Sequence, residues 1–390
     1  MVITGLERIL REPQVLSRAG RLGLLYNYAS VNTRFESSAD LIAARFPGRL
    51  RTLFGPQHGV GGTEQDNMRE TGHGMHPYLN IPVYSLYSET RIPRPDMLES
   101  VDTVLVDIQD VGTRVYTFAT TVLNLMHACA ETGKAVFILD RPNPIDGKDV
   151  EGNILNPAFA SFVGPFPIPM RHGMTLGELM ALYHAELDIG CELEIITLGG
   201  WNPNTYFEDT GLPWILPSPN MPLVETAVVY PGQVILEGTN LSEGRGTTRP
   251  FEIWGAPFIE PGHVTNLLEK NCITGAVLRE TDFKPTFNKW AGQHCRGYQI
   301  HVTDRELFRP FRATLAFISA LLKLYPEEFR WSEPPYEYVS DKLPVDVILG
   351  DDRLRLDLEQ GRSIEDLEHS WSEDLDKFLS LRSRFLLYPR

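Results

Sequence analysis

Through the first half of the chain, short apolar runs rich in β-branched and aromatic residues end in polar clusters. They are RLGLLYN from Arg21, RLRTLFG from Arg49, PVYSLYS from Pro82, TVLVDIQ from Thr103 and AVFILDR from Ala135. The runs are apolar throughout instead of alternating, which suits strands covered on both faces. LIAARF from Leu41 stands between the first two, and the helix-length stretch Tyr116 to Glu131 lies between the last two. A capping box, Thr175 to Glu178, opens a further helix through LGELMALYHAEL, and CELEIITL from Cys191 reads as one more strand. Strand and helix in alternation predict βαβ units and an open, mostly parallel α/β sheet.

The texture changes after Gly199. Pro213, Pro217, Pro219 and Pro222, with Trp201 and Trp214, mark a loop-rich bridge in which proline removes backbone donors. A boundary near residue 225 gives a larger domain over 1–225 and a smaller α+β domain over 226–390. TGAVLRETDFKPTF and RGYQIHVTD are strand candidates of the second domain, and PFRATLAFISALLKLY is its amphipathic helix.

Composition narrows the function classes. A chain of 390 residues, 42% hydrophobic, can bury a large core, yet no apolar run approaches the ~20 residues that span a bilayer. The opening MVITGLERILREPQVLSRAG carries Glu7 and Glu12 and lacks the order of a signal peptide, so a cytoplasmic protein is expected. Cys129, Cys191, Cys272 and Cys295 form no C-x-x-C pair, which points to buried thiols and not to zinc or disulfides. The formal charge of -15 disfavours nucleic acid, so an anionic ligand needs a local arginine fork.

In doubly wound sheets, ligands gather at the carboxyl ends of strands. There the sequence places Asn27 and Tyr28, then Gln57 and His58, then Glu89 and Arg91. Asp107, Gln109, Asp110, Arg114 and Tyr116 come next, and Asp140, Arg141 and Asn143 last. Each has a structural alternative: Asp107 as a helix cap, for example, or Asp140 as partner of Arg141. Five polar strand ends together nevertheless predict one shared cleft. G-x-G-x-x-G, the P-loop, G-x-S-x-G and H-E-x-x-H are all missing, which argues against nucleotide, serine-hydrolase and zincin chemistry. Carboxylates, amides and arginines near tryptophans suit a sugar, and glycoside hydrolysis uses two carboxyl groups. The stretch EGTNLSEGRGTTRP, from Glu237 to Pro250, supplies a carboxylate, an amide in Asn240 and the guanidinium groups of Arg245 and Arg249. Its glycines Gly238, Gly244 and Gly246 permit close backbone approach. The competing reading is a solvated loop whose glutamates and arginines pair with one another.

LFGPQHGVGG, PVYSLYSETRIP, VDIQDVGTRVYTF, LDRPNPIDG, EGNIL, PIPMRHGMTLGEL, PSPNMP and VYPGQVILEGTNLSEGRGTTRPFEIWGAP occur in order from about residue 50 to past 255. Together they resemble the NamZ family, exo-β-N-acetylmuramidases of bacterial peptidoglycan turnover. The resemblance implies a Rossmann-like N-terminal domain, a smaller C-terminal domain and a cleft between them. It also implies release of N-acetylmuramic acid from the non-reducing end of glycan fragments, with no cofactor. The family pattern often carries Glu where this chain has Gln57, and an amide cannot protonate a leaving group. Glu64, Glu70, Asp110 and Glu237 are the carboxyl candidates for that task.

Asp110 and Glu237 are the expected catalytic pair, since they come from opposite domains. His58 and His172 are expected to orient a carboxylate or bind the acetamido group, and Arg245 to hold the ligand's lactyl carboxylate. Asn27, Gln57, Arg114, Tyr116, Asp140, Arg141, Asn143 and Asn240 complete the expected substrate contacts. Two rivals remain at this level: a metal-dependent hydrolase using His58, Asp107, Asp110 and His172, and an amino-sugar-binding protein without catalysis.

Overall fold

A computed structural model describes residues 1–66, 68–268 and 272–390. Five strands run parallel as the apolar runs predict: β1 (Leu22–Tyr26), β2 (Leu50–Gly55), β4 (Pro82–Ser85), β5 (Thr103–Asp107) and β6 (Ala135–Leu139). β7 (Leu193–Ile196) extends the parallel set, and a two-residue β3 (Gly74–Met75) closes the far edge antiparallel to β4. The order is β3-β4-β2-β1-β5-β6-β7. The chain moves outward from β1 through β2 to β4, then returns to β5 on the other side of β1. That reversal is the switch point, where the loops after the neighbouring strands β1 and β5 diverge and leave a crevice. LIAARF belongs to the helix Ser38–Arg45.

The second sheet is antiparallel, ordered β8 (Ile253–Ala256), β10 (Cys295–Val302) and β9 (Ala276–Phe283). Behind it the helix Pro310–Leu324 crosses the helix Val224–Gln233 at close range. A Cβ on Gly232 would stand 1.9 Å from the carbonyl oxygen of Pro310, so only glycine allows this approach. The approach seats the following turn, Val234–Gly238, and with it Glu237, against the first sheet's loops.

One apolar core runs from Leu25, Phe54 and Val104 of the large sheet to Trp254, Tyr298 and Phe317 of the small one. A second cluster, including Leu22, Leu24, Leu53 and Phe137, covers the opposite face of the large sheet. The chain's last residues return to the first lobe. Tyr388 donates to Asp140 at 2.5 Å and Arg390 pairs with Glu178 at 2.8 Å. Among the described residues no helix is long and apolar enough to cross a membrane.

Candidate active site

At the switch point the two lobes enclose a small polar pocket. Gln57 and His58 reach it from the loop after β2, and Tyr116 and Thr117 from the turn that opens the helix Phe118–Thr132. Ser218 and Asn220 come from the PSPNMP loop, and Tyr230, Glu237, Arg245 and Phe251 from the second lobe. Tyr336 and Glu337 complete the wall.

Two carboxyl groups meet here in contrasting surroundings. Glu237 accepts hydrogen bonds from Arg245 Nη2 at 2.6 Å and from the Tyr336 hydroxyl at 2.6 Å. Burial acts to weaken the Arg245 proton affinity, but the negative charges of Glu237 and Glu243 outweigh it and hold the guanidinium firmly charged. Glu337 accepts from the Tyr87 hydroxyl at 2.7 Å and from Gln57 Nε2 at 3.2 Å. The Thr117 hydroxyl donates to Gln57 Oε1 at 2.6 Å, which fixes the amide so that its NH₂ faces Glu337. Burial, reinforced by the nearby charge of Glu237, raises the Glu337 pKa from its ordinary value, although Tyr87, Gln57 and Arg91 pull the other way.

Glu337 sits on a strained turn. Tyr336 and Val339 exchange backbone hydrogen bonds at 3.0 and 2.9 Å, and the two residues between them, Glu337 and Tyr338, have φ of +42° and +69°. Two positive φ values make this a type I′ turn, normally given to Asn-Gly. Side chains other than Gly, Asn and Asp disfavour that conformation, and here the Glu337 hydrogen bonds and the Tyr338 ring, 3.6 Å from the Arg91 guanidinium, hold it.

The expected site residues divide between the pocket and its supports. Gln57, His58, Tyr116, Glu237 and Arg245 line the pocket together. His58 Nδ1 lies 2.6 Å from the Glu64 carbonyl, and burial, with the charge of Arg245, lowers its pKa to about 4, so the ring is neutral near pH 7. Asn27 donates to the Pro217 carbonyl at 2.9 Å and so anchors the loop that delivers Ser218 and Asn220. Arg114 spends its guanidinium on four backbone carbonyls. Asp140 accepts from Thr175, Gly177 and Tyr388, and Arg141 forms a two-pronged pair with Asp107 at 2.7 and 3.0 Å. Asn143 donates to the Met174 carbonyl, and Asn240 bridges Glu328 and Arg330.

Asp110 lies behind the pocket lining. Its Oδ2 accepts from Gly112 N at 2.7 Å and stands 3.7 Å from His172 Nε2, while Oδ1 has no hydrogen-bond partner among the described residues. Burial raises the Asp110 pKa to about 7 and lowers that of His172 to about 3, the latter with help from Arg382, Arg114 and Arg171. At neutral pH His172 is therefore an uncharged neighbour of Asp110.

The Glu237–Pro250 stretch is not the solvated loop of the competing reading. Its glutamates and arginines do pair, Glu237 and Glu243 with Arg245, but they do so buried in the pocket wall. The close approaches its glycines permit are to the protein's own backbone: Gly238 to Val345, Gly244 to Ile253 and Gly246 to Phe287. The tryptophans stand elsewhere. Trp201 packs on Tyr388 and Trp214 on Phe207, so the aromatic lining is Tyr116, Phe118, Tyr230, Phe251 and Tyr336. Asp107 is committed to Arg141, and among the described residues no three His, Cys, Asp or Glu side chains converge as a metal site. Glu337, Tyr336 and Tyr87 are among the site residues that sequence reading missed, with Thr117, Ser218, Asn220 and Tyr230. The available signal was the carboxylate set between tyrosines in PPYEY, from Pro334 to Tyr338.

Comparison with known proteins gives a consistent picture. Residues 22–225 match the N-terminal domain and residues 228–388 the C-terminal domain of the exo-β-N-acetylmuramidase NamZ family. The chain is 42% identical over 387 residues to the peptidoglycan β-N-acetylmuramidase NamZ of Bacillus subtilis (strain 168), covering 99% of this chain and 91% of that one. Crystal structures of two DUF1343 family proteins from Bacteroides fragilis NCTC 9343 superpose with TM-scores of 0.87 and 0.76, at 31% and 28% identity. Each match covers 100% of this chain and 99% of the other. A match of both domains, end to end and in order, with a relative this similar, places the chain in the exo-β-N-acetylmuramidase NamZ family.

Proposed function

We propose that Glu237 and Glu337 are the carboxyl pair with which this exo-acting β-N-acetylmuramidase hydrolyses peptidoglycan-derived glycans. One observation carries the assignment: two buried carboxyl groups from distant segments enter one pocket, one ion-paired to an arginine and the other biased toward its protonated form by burial. Oxocarbenium-like glycoside cleavage asks for that division of labour. Glu337 protonates the departing glycosidic oxygen. Glu237, ion-paired to Arg245, faces the positive charge that develops on the sugar ring, or activates water beside it. Gln57 and Tyr87 aim Glu337, and neutral His58 with Asn220 and Ser218 offers hydrogen bonds to ring substituents.

As it stands the pocket holds about 30 Å³, room for one or two waters. A sugar ring needs several times that space, so binding has to move the Tyr336–Val339 turn or the side chains around it. A turn whose two central residues take an unfavourable backbone conformation, closed by two backbone hydrogen bonds and steadied by side-chain contacts, is suited to that movement.

Asp110 supports a second reading, because a pKa raised by burial to about 7 and an Oδ1 with no hydrogen-bond partner among the described residues are also properties of a proton-transfer group. Digestion of defined peptide-free glycans separates the two. Wild type releases N-acetylmuramic acid from the non-reducing end. Glu237→Gln loses about 10² to 10⁴ in kcat/KM, and Asp110→Asn keeps activity within about tenfold because it acts only through the pocket floor. A collapse in Asp110→Asn with near-normal Glu237→Gln would reverse the assignment. Wild type that releases no muramic acid would remove the reading altogether.

A further inference from the structure

Beside the closed pocket runs an open groove of about 420 Å³ between the Glu89–Ile92 and Ser161–Pro165 segments, with Arg91 in its wall. The Arg91 guanidinium is held among rings, its carbon 3.6 Å from the Tyr338 centroid, 4.8 Å from that of Tyr87 and 5.9 Å from that of Phe162. Its Nε and Nη2 are buried and, among the described residues, have no hydrogen-bond partner. Cation–π contact offsets part of the cost of desolvating these donors, but it satisfies no N–H. Buried arginine donors are almost always paired, so an empty fork at a cleft calls for an acceptor. Glu89, on the rim of the groove, does not supply it. Its carboxylate is tied to Arg94 at 2.5 Å and His73 at 3.0 Å.

We propose that Arg91 receives the carboxylate of the substrate's lactyl side chain, an inference that rests on the muramidase reading above. Arg245, the sequence's candidate for this task, is already in full use. Its Nη2 meets Glu237, its Nε meets Glu243 at 3.2 Å and its Nη1 lies 3.4 Å from the Gln65 carbonyl. A ligand anion there would face two carboxylates and would have to displace a buried ion pair. Among the described residues Arg91 is in no ion pair that an anion would have to break, and the Glu89 carboxylate on the groove rim is already engaged by Arg94. Tyr87 links it to the reacting centre, with its ring against Arg91 and its hydroxyl on Glu337. The lactyl ether sits on C3 of the ring whose C1 is cleaved. A carboxylate on Arg91 and a glycosidic oxygen on Glu337 therefore lie on the two sides of one tyrosine. A planar fork matches a carboxylate in two hydrogen bonds, which an ammonium cannot reproduce. The same contact selects muramic acid over N-acetylglucosamine, which lacks the lactyl group, and disfavours residues whose lactyl carboxyl is masked as an ester or amide.

Calorimetric binding of three sugars to wild type and Arg91→Met tests the assignment. The sugars are N-acetylmuramic acid, its methyl ester and N-acetylglucosamine. Wild type is expected to bind the free acid most tightly. Arg91→Met should lose about tenfold to a hundredfold for the acid, as expected for a charge-assisted contact, and leave the two neutral sugars unchanged. Arg91→Lys should recover part of the loss. Binding is the readout because Arg91 also influences the Glu337 proton, so a change in kcat alone is ambiguous. Equal binding of acid and ester by wild type, unchanged affinity for the acid in Arg91→Met, or an equal loss for all three sugars overturns the proposal. Absence of hydrolysis by wild type would instead strike the muramidase reading, and leaves the binding comparison intact.

Discussion

Glu337→Gln is expected to lower kcat/KM on a peptide-free glycan by about 10² to 10⁴, the range by which general acid catalysis accelerates a reaction. Fold and sugar affinity should be nearly unchanged. The amide keeps the shape of the side chain, and it remains able to accept from the Tyr87 hydroxyl. The proton is what disappears. Burial, aided by Glu237, raises the Glu337 pKa, so the group keeps its proton to higher pH than an ordinary carboxyl does. Activity that depends on this proton therefore falls as pH rises through the raised value, giving the alkaline limb of a bell-shaped profile. In Glu337→Gln that limb should vanish, because no titrating acid remains. Leaving-group dependence offers a further check. p-Nitrophenolate departs without protonation, so a p-nitrophenyl muramic glycoside should suffer far less from the substitution than a natural glycan. An unchanged alkaline limb in the variant, or equal losses on both substrates, would assign the acid role elsewhere.

The parallel sheet was readable because β1 and β5 are buried on both faces and spell that condition in unbroken apolar runs. β3 was not, since Gly74 and Met75 are exposed and carry no pattern. The helix Val224–Gln233 is obscured by Pro231 within it. Polar strand ends pointed to the loops that bring Gln57, His58 and Tyr116 to the pocket, but not to the other side chains that enter it. Ends of buried strands must also satisfy their own charges, and Asp107, Asp140 and Asn143 do this by gripping Arg141, a helix start and a loop carbonyl. Glu237 could be proposed from an unusual local composition. Glu337 could not be paired with it, because the contacts that define its role reach 280 positions back to Gln57 and 250 back to Tyr87. A local pattern records which residues share a helix or strand face. It does not record which distant turns a core will bring together.

Arg114 carries the largest expected effect on stability. Its Nη1 donates to the carbonyls of Asn153 and Ile168 at 3.0 and 2.7 Å, and its Nη2 to those of Ile348 and Leu349 at 3.0 and 2.8 Å. The first two lie in the first lobe, and the other two end the helix Pro344–Leu349, where a cation also meets the negative pole of the helix. Only 2% of Arg114 is exposed, and burial lowers its pKa to about 10, so the group stays charged at neutral pH. Arg114→Met preserves much of the volume but strips the donors from four buried carbonyls at once. The expected loss is about 3–5 kcal/mol, the usual result of breaking a buried charged network from one side. With an unfolding entropy of ~2.1 cal/mol/K per residue, this lowers the melting temperature by about 5 °C in a chain of this length. Activity should fall as well. The helix that Arg114 holds follows the Tyr336–Val339 turn, and its Val345 packs against Gly238, beside Glu237, so both carboxyl groups take their positions from it. Arg114→Lys keeps the charge but cannot span four acceptors, and should fall between the two. Calorimetric melting of the three proteins decides the matter: an unshifted melting temperature in Arg114→Met would mean that water replaces the guanidinium and that the other contacts between the lobes suffice without it.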